Sequence, residues 1–399
     1  MSSLAPSSQP WVLVCGGFHT RGGMDRANLE LASQLIETGH PVHLIGHVID
    51  ENFAKRPGVT ALVVPRPLGS IALGEARLAK RGEEVIRQVR AKHPHAVLVA
   101  NGGNCMGADI NWVHYVHHAS RFEDAGAPIG LRLKNRVAEK IFRRHEGRAI
   151  REAKLVIANS ELTRNHVTEL LGVDPMRTRT IYLAANADWA PPSEVERANA
   201  RTWLQIPSEV PVACFVGALG HDRRKGFDTL WQAWKKLSAD PTWAAHLVVA
   251  GGGRQVAHWR READRMNGQV HVLGFTDRVC DVLAASDLLV SPVLYEPFGL
   301  NVMEAICRGV PAVVSANAGV AELYPNDLHR YLLDDPRDYE RVVRMLRQWS
   351  TEVEKTRLDF AQFSGRLRQR TWMAMANEVI GATAGWDDPS AGDTLVAAQ

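Results

Sequence analysis

The feature that most constrains this chain is a repeated alternation of short apolar runs with stretches of helical period. Val12 to Cys15, Val42 to Ile45, Val97 to Ala100, Val113 to Val116 and Leu155 to Ala158 are continuous apolar segments of strand length. Between the first two, Met24, Ala27, Leu31 and Leu35 recur at helical spacing, and Gly39 follows where a helix ends. Strands buried on both faces read as unbroken apolar runs, and helices between them build βαβ units. The expected class is therefore α/β, with parallel sheets covered by helices. From Ala185 to Val210 the alternation stops among Asn186, Asp188, Pro191, Pro192 and Pro207, which reads as a domain boundary. It restarts with strand Val212 to Val216, helix Phe227 to Leu237, strands Leu247 to Ala250, Val270 to Leu273 and Leu288 to Ser291, helix Leu300 to Cys307 and strand Ala312 to Ser315. Phe227, Leu230, Trp231, Trp234 and Leu237 form a stripe on the first of these helices, expected in the core.

Two doubly wound domains are thus expected, spanning 1–190 and 191–364, followed by a flexible tail at 385–399. Ligands of such sheets bind beyond the carboxyl ends of the strands, so a cleft between the two domains is the expected site. With 45% apolar and 23% charged residues, a disordered, collagen-like or coiled-coil chain is excluded. No apolar run approaches the roughly 20 residues of a membrane span. Met1 to Pro10 lacks the basic and apolar regions of a signal peptide. Five scattered cysteines fit buried thiols in a reducing, cytoplasmic setting better than disulfides or zinc. The net charge of +3 conceals a basic first half: up to Asp188, 24 Lys+Arg face 18 Asp+Glu, an excess of +6, and beyond it 23 face 26, or −3.

Glycine-bearing loops follow several of the expected strands. Gly16 to Gly23 leads into a helix, and its Gly22-Gly23 pair would let a phosphate approach backbone N–H groups at a positive helix terminus. It is not a GxGxxG dinucleotide fingerprint, and no acidic residue closes the next strand, which counts against a dehydrogenase. Gly217 to Gly226 carries Arg223, Arg224 and Lys225 at a strand-to-helix junction, a set suited to a diphosphate. Gly251 to Gly253 end another strand. Glu296-Pro297-Phe298-Gly299-Leu300-Asn301 places a carboxylate in a loop, with Glu304 eight residues on inside a helix. His114, His117 and His118 follow one another closely. Strand alternation would put His117 on the face opposite the other two, and three histidines so near also suit a metal. Asn101, after Val97 to Ala100, opens on the same edge and is expected to shape the acceptor side.

The ordered set Gly22-Gly23, His117, Asn159-Ser160, Lys225-Gly226-Phe227-Asp228, Gly251 to Gly253 and Glu296 to Leu300 with Glu304 resembles the retaining nucleotide-sugar glycosyltransferases of family 4. The resemblance runs from Val12 to about Ala384. It implies the GT-B fold, two Rossmann-like domains facing an interdomain cleft, the first on the acceptor side and the second holding the donor. It further implies that a helix near 365–384 packs back on the first domain. Arg224 and Lys225 would hold the departing diphosphate, with no metal or other cofactor. Glu296 would orient the sugar and phosphates together with the backbone of Phe298, Gly299, Leu300 and Asn301. Glu304 would grip the ribose hydroxyls, and His117 would meet the donor sugar near the reacting carbon. Gly22, Gly23, Gly217, Gly251 and Phe275, each just past a strand, complete the substrate-binding set. Many family members carry Arg directly after the glycine equivalent to Gly217; here Ala218 stands there, so either Arg223 or Arg224 would supply the guanidinium.

The implied activity is transfer of a hexose from a UDP- or GDP-linked donor to a hydroxyl of a saccharide or lipid-linked acceptor, in polysaccharide or glycolipid synthesis. A nucleotide-sugar epimerase or a non-catalytic nucleotide-sugar binder are the alternatives. From Arg132 to Lys154 nine Lys and Arg residues interleave with Leu133, Val137, Ile141 and Phe142, with Leu131 just before them, a pattern that can rest on anionic lipid at the inner face of a membrane. That stretch lacks stacking aromatics, so nucleic acid is not an expected partner.

Overall fold

The computed structural model describes residues 9–120, 129–185, 189–221 and 223–383. The tail expected at 385–399 lies outside them, as do Asn186 and Asp188 of the expected boundary. The chain divides into two compact units: Met1–Ala119, Asn135–Leu183 and Trp372–Gln399 form the first, and Ser120–Lys134 with Ala184–Thr371 the second.

Up to residue 183 the chain forms β1 (Trp11–Val14), β2 (Gly17–Phe18), α1 (Gly23–Glu37), β3 (Val42–Gly46), β4 (Val48–Ile49), α2 (Glu51–Ala54), β5 (Val59–Val63), α3 (Ile71–Arg90), β6 (Val97–Ala100), β7 (Ile110–Val113), α4 (Ile129–Glu152), β8 (Leu155–Ala158), α5 (Glu161–Leu171) and β9 (Thr178–Thr180). Seven strands make one sheet in the order β5-β3-β1-β6-β7-β8-β9, with every pair parallel. The strand order reverses between β1 and β6, so the loops that leave those two strands splay apart at the carboxyl edge. Ala27, Leu31 and Leu35 of α1 are buried as their spacing requires, whereas Met24 is exposed.

The second unit contains α6 (Glu194–Leu204), β10 (Val212–Val216), α7 (Phe227–Ser238), β11 (His246–Ala250), α8 (Val256–Ala263), β12 (Val270–Gly274), α9 (Val279–Ala285), β13 (Leu288–Ser291), α10 (Leu300–Cys307), β14 (Ala312–Ser315), β15 (Leu332–Leu333), α11 (Tyr339–Thr351) and α12 (Val353–Arg368). Its six-stranded parallel sheet runs β12-β11-β10-β13-β14-β15 and reverses between β10 and β13. The five-residue stripe of α7 is buried throughout, packed with Trp243, Trp259 and Trp349 in one apolar cluster. Each such side chain contributes about 1.5–3 kcal/mol of burial free energy. The two parallel-sheet α/β units are the pair of doubly wound domains expected from the sequence.

Three expectations need correction. The strand expected at Val113 to Val116 is β7, three residues earlier. Its polar Asn111 is tolerated inside because the side-chain amide bonds both backbone groups of Gly102, at 2.9 and 2.8 Å. The stretch read as broken between Ala185 and Val210 contains α6, whose capping box of Ser193 and Glu196 was the overlooked signal. The helix expected near 365–384 is two helices, α12 and then α13 (Trp372–Gly381). The second belongs to the first unit and packs on α1, where Gln34 Nε2 donates to Asn377 Oδ1 at 2.9 Å and the Arg26 guanidinium lies 5.6 Å from the Trp372 ring.

Among the described residues no helix is long and apolar enough to cross a membrane. All five cysteines are free, and burial pushes the thiols of Cys105, Cys214 and Cys307 up to about 12.

Candidate functional site

Because β10 and β13 are neighbours at the reversal of the second sheet, the loops that follow them are brought side by side. One carries Arg224 and Lys225, the other Glu296. The contact is closest at Gly226, whose φ is 71° and where an added Cβ would stand 1.7 Å from the Pro292 carbonyl oxygen. Only glycine fits there. Leu294 N donates to Arg224 O at 2.9 Å, and Lys225 Nζ forms an ion-paired hydrogen bond with Glu296 Oε2. Arg224 Nη1 lies 3.6 Å from the same oxygen and 3.4 Å from Tyr295 O. Burial pushes the Glu296 carboxyl up, but the Lys225 and Arg224 charges outweigh it and hold the group below its ordinary value. Two cations thus share one carboxylate.

The two adjacent arginines take different partners. Arg223 takes a left-handed backbone with φ of 49° and pairs with Asp228 at 3.5 Å, whereas Arg224 stands with Lys225 and Glu296. The Glu296 backbone is fixed on both sides, its N–H donating to Asn317 O at 3.2 Å and its carbonyl accepting from Gly319 N at 3.0 Å.

The neighbouring glycines bring backbones close together. Gly217 N donates to Ala250 O and Gly251 N to Gly274 O, so neither N–H is available to a phosphate. What they provide is close approach: a Cβ on Gly251 would overlap Gly217 O at 1.7 Å. Phe298 is buried in the core and its carbonyl accepts from Val320 N. Gly299 caps α10, with Leu300 as its first residue. Asn301 spends its side-chain amide on Val216 O at 2.8 Å, tying the start of α10 to the end of β10. Glu304 is half-buried one turn into that helix. Phe275, just past β12, is 68% exposed, a large apolar ring facing solvent beside Gly252.

In the first unit the loops after β1, β6 and β7 leave the same edge of the sheet. Gly22 caps α1, but the first turn of that helix already holds a carboxylate, Asp25, 3.6 Å from His19 Nε2. Burial raises the Asp25 carboxyl, with His19 and Arg66 opposing. The Gly22-Gly23 turn therefore offers an acceptor oxygen beside helix-start N–H groups, a combination suited to hydroxyls, which both donate and accept. Asn101 is buried, its Nδ2 donating to Trp112 O at 3.1 Å.

β7 stops before the histidines, so strand alternation does not sort them. His114 is buried against Trp112, and burial drives it down to about 3. His117 and His118 both turn toward Glu146 of α4, a residue no sequence pattern singled out. Its Oε1 is 2.7 Å from His117 Nδ1, its Oε2 2.8 Å from His117 N and 3.9 Å from His118 Nδ1. Among the described residues no three His, Cys, Asp or Glu side chains converge as metal ligands do.

Comparisons with known proteins agree with this division. Residues 21–189 match the family described as Glycosyltransferase Family 4 and residues 210–349 the one described as Glycosyl transferases group 1. The chain is 25% identical over 371 residues to a D-inositol 3-phosphate glycosyltransferase of Geodermatophilus obscurus, covering 85% of this chain and 79% of that protein. Sucrose-phosphate synthase from Thermosynechococcus elongatus superposes with a TM-score of 0.74 at 19% identity, over 95% of this chain and 99% of that one. Anabaena HepE, solved with UDP and glucose, superposes with a TM-score of 0.69 at 18% identity, over 94% and 99%.

Proposed function

We propose that this chain, which belongs to the family 4 glycosyltransferases, moves a hexose from a UDP- or GDP-linked donor to an acceptor hydroxyl, without a metal and with retention at the anomeric carbon. The observation that carries this reading is the cluster of Arg224 and Lys225 on Glu296 at the strand-order reversal of the second sheet. In glycosyl transfer the bond from the anomeric carbon to the diphosphate oxygen breaks as the bond to the acceptor oxygen forms. Positive charge gathers on the sugar ring and negative charge on the departing diphosphate. Two fixed cations stabilise that leaving group in the way a divalent ion does elsewhere. Same-face attack lets the departing phosphate oxygen take the acceptor proton. Glu304 is assigned to the ribose hydroxyls, His117 to the donor sugar, and the Asp25 turn to a neutral part of the acceptor. UDP is favoured as the carrier by the likeness to HepE, and a saccharide or lipid-linked acceptor by the likeness to WaaG, a glycosyltransferase involved in lipopolysaccharide biosynthesis.

The test is a thermal-shift panel of UDP, GDP, ADP and their sugar conjugates, with and without EDTA. One diphosphate at 100 times its dissociation constant should stabilise by about 2.7 kcal/mol, unchanged by EDTA. No shift with any nucleotide would overturn the reading, and a shift lost in EDTA would overturn its metal-free part.

Peripheral membrane contact belongs to the same proposal. Val137 and Ile141, one turn apart on α4, are 56% and 44% exposed, flanked by the exposed Arg136, Lys140, Arg144 and Arg148. The expected result is co-sedimentation with phosphatidylglycerol vesicles but not with phosphatidylcholine vesicles, lost in Val137→Glu/Ile141→Glu. Equal recovery of wild type and variant would remove the membrane from the account.

A further inference from the structure

The geometry points to Glu146 as the positioning residue that fixes the tautomer of His117, so that the ring meets a substrate hydroxyl as a hydrogen-bond acceptor through Nε2. The inference deepens the transferase reading and takes from it only that His117 faces a sugar.

Glu146 is held inside the protein: 4% of its side chain is exposed, against 31% for His117. Gly103 packs on its backbone, where a Cβ would stand 3.2 Å from Glu146 N, and Gly102 lies against its carboxyl. The carboxylate makes two bonds to one residue, Oε2 with the His117 backbone N–H and Oε1 with ring Nδ1. A backbone N–H can only donate, so Oε2 accepts. An ionised carboxylate can only accept, so Oε1 accepts too, and Nδ1 carries the proton. In the neutral ring Nε2 is then left with a lone pair. The ring is held between Tyr115, with centroids 4.9 Å apart, and Phe142, at 5.6 Å, which limits its rotation. Glu75 of α3, Arg66, His118 and, on α4, Arg143 and Arg151 are the other charged or titratable groups around this corner among the described residues.

The arrangement makes a sharp prediction for the isosteric amide. In Glu146→Gln one oxygen and one NH2 replace two acceptors. The backbone N–H of His117 must keep the oxygen, so the NH2 faces Nδ1, which has to accept. The proton moves to Nε2, and the group offered to substrate turns from acceptor into donor.

Long-range 1H–15N spectra of the full chain with labelled histidine, recorded near pH 8 without substrate, read the tautomer directly. Wild type is expected to show protonated Nδ1 and bare Nε2 at His117, and Glu146→Gln the reverse. His117→Ala identifies the signal. In donor turnover Glu146→Gln should lower kcat by about 10- to 100-fold with little change in donor KM. Protonated Nε2 in the wild type overturns the inference, and that spectrum suffices even where the variant does not fold. A reversed tautomer with unchanged kcat overturns it as well. If the wild type turns over no nucleotide sugar, the transferase reading fails while the tautomer result stands by itself.

Discussion

Replacing Lys225 by alanine is expected to lower kcat for donor turnover by on the order of 10²- to 10³-fold, the cost of removing one fixed donor from a developing negative charge. The donor KM should rise less, because the diphosphate carries more charge at the transition state than before it. Lys225 stands on Glu296, so its removal leaves that carboxylate to Arg224 alone. Circular dichroism and a melting curve must therefore accompany the kinetics. Lys225→Arg, which keeps the charge on a different fork, should recover part of the loss. Glu304→Ala is expected to act otherwise: if it grips the ribose, it weakens donor binding as well as turnover. A folded Lys225→Ala protein working within threefold of the wild-type rate would sink the assignment of the cluster to the leaving group.

The second large effect concerns stability. His114 is neutral when folded, with its pKa depressed to about 3 by burial, against an ordinary value near 6.5. Between those two values the unfolded chain binds a proton that the folded chain refuses. Stability therefore falls as the pH falls through that window, by ~1.4 kcal/mol per pH unit. From pH 7 to pH 4.5 this residue alone should cost about 2–3 kcal/mol. Burial also lowers His43, His118, His166, His246 and His271, so the whole protein should lose more. His114→Phe isolates the one contribution: urea unfolding of both proteins across this range should show the difference between them narrowing in favour of the variant as pH falls. Parallel curves would mean that His114 takes up its proton without unfolding.

Much of the architecture was legible in the residues. Apolar runs of four or five residues mark strands buried on both faces, and they located β6, β8, β10, β13 and β14 to the residue. The stripe of α7 and the span of α10 followed from helical period in the same way. Strands that carry polar residues were harder. Asn111 hid the start of β7 because its burial is satisfied by Gly102, a partner nine residues away that no local period announces. The capping box of α6 was written in the sequence and was outweighed by the prolines around it.

The site divides along the same line. Residue type and local spacing singled out Arg224, Lys225 and Glu296 at strand ends and Glu304 in the helix that follows, since charge at such positions is a property of the sequence itself. Tertiary structure alone decided which charge meets which. Arg223 and Arg224 are adjacent in the chain, yet only Arg224 reaches Glu296, because the left-handed turn at Arg223 sends its side chain to Asp228. Gly217 and Gly251 are loop glycines in one dimension, and in three they let two backbones meet. Glu146 lies 29 residues from His117, in the helix that returns the chain to β8. Sequence separation carries no distance. Only the parallel sheet, by sending the loop after β7 and the helix that leads back to β8 to meet at one edge, brought that carboxylate to the ring.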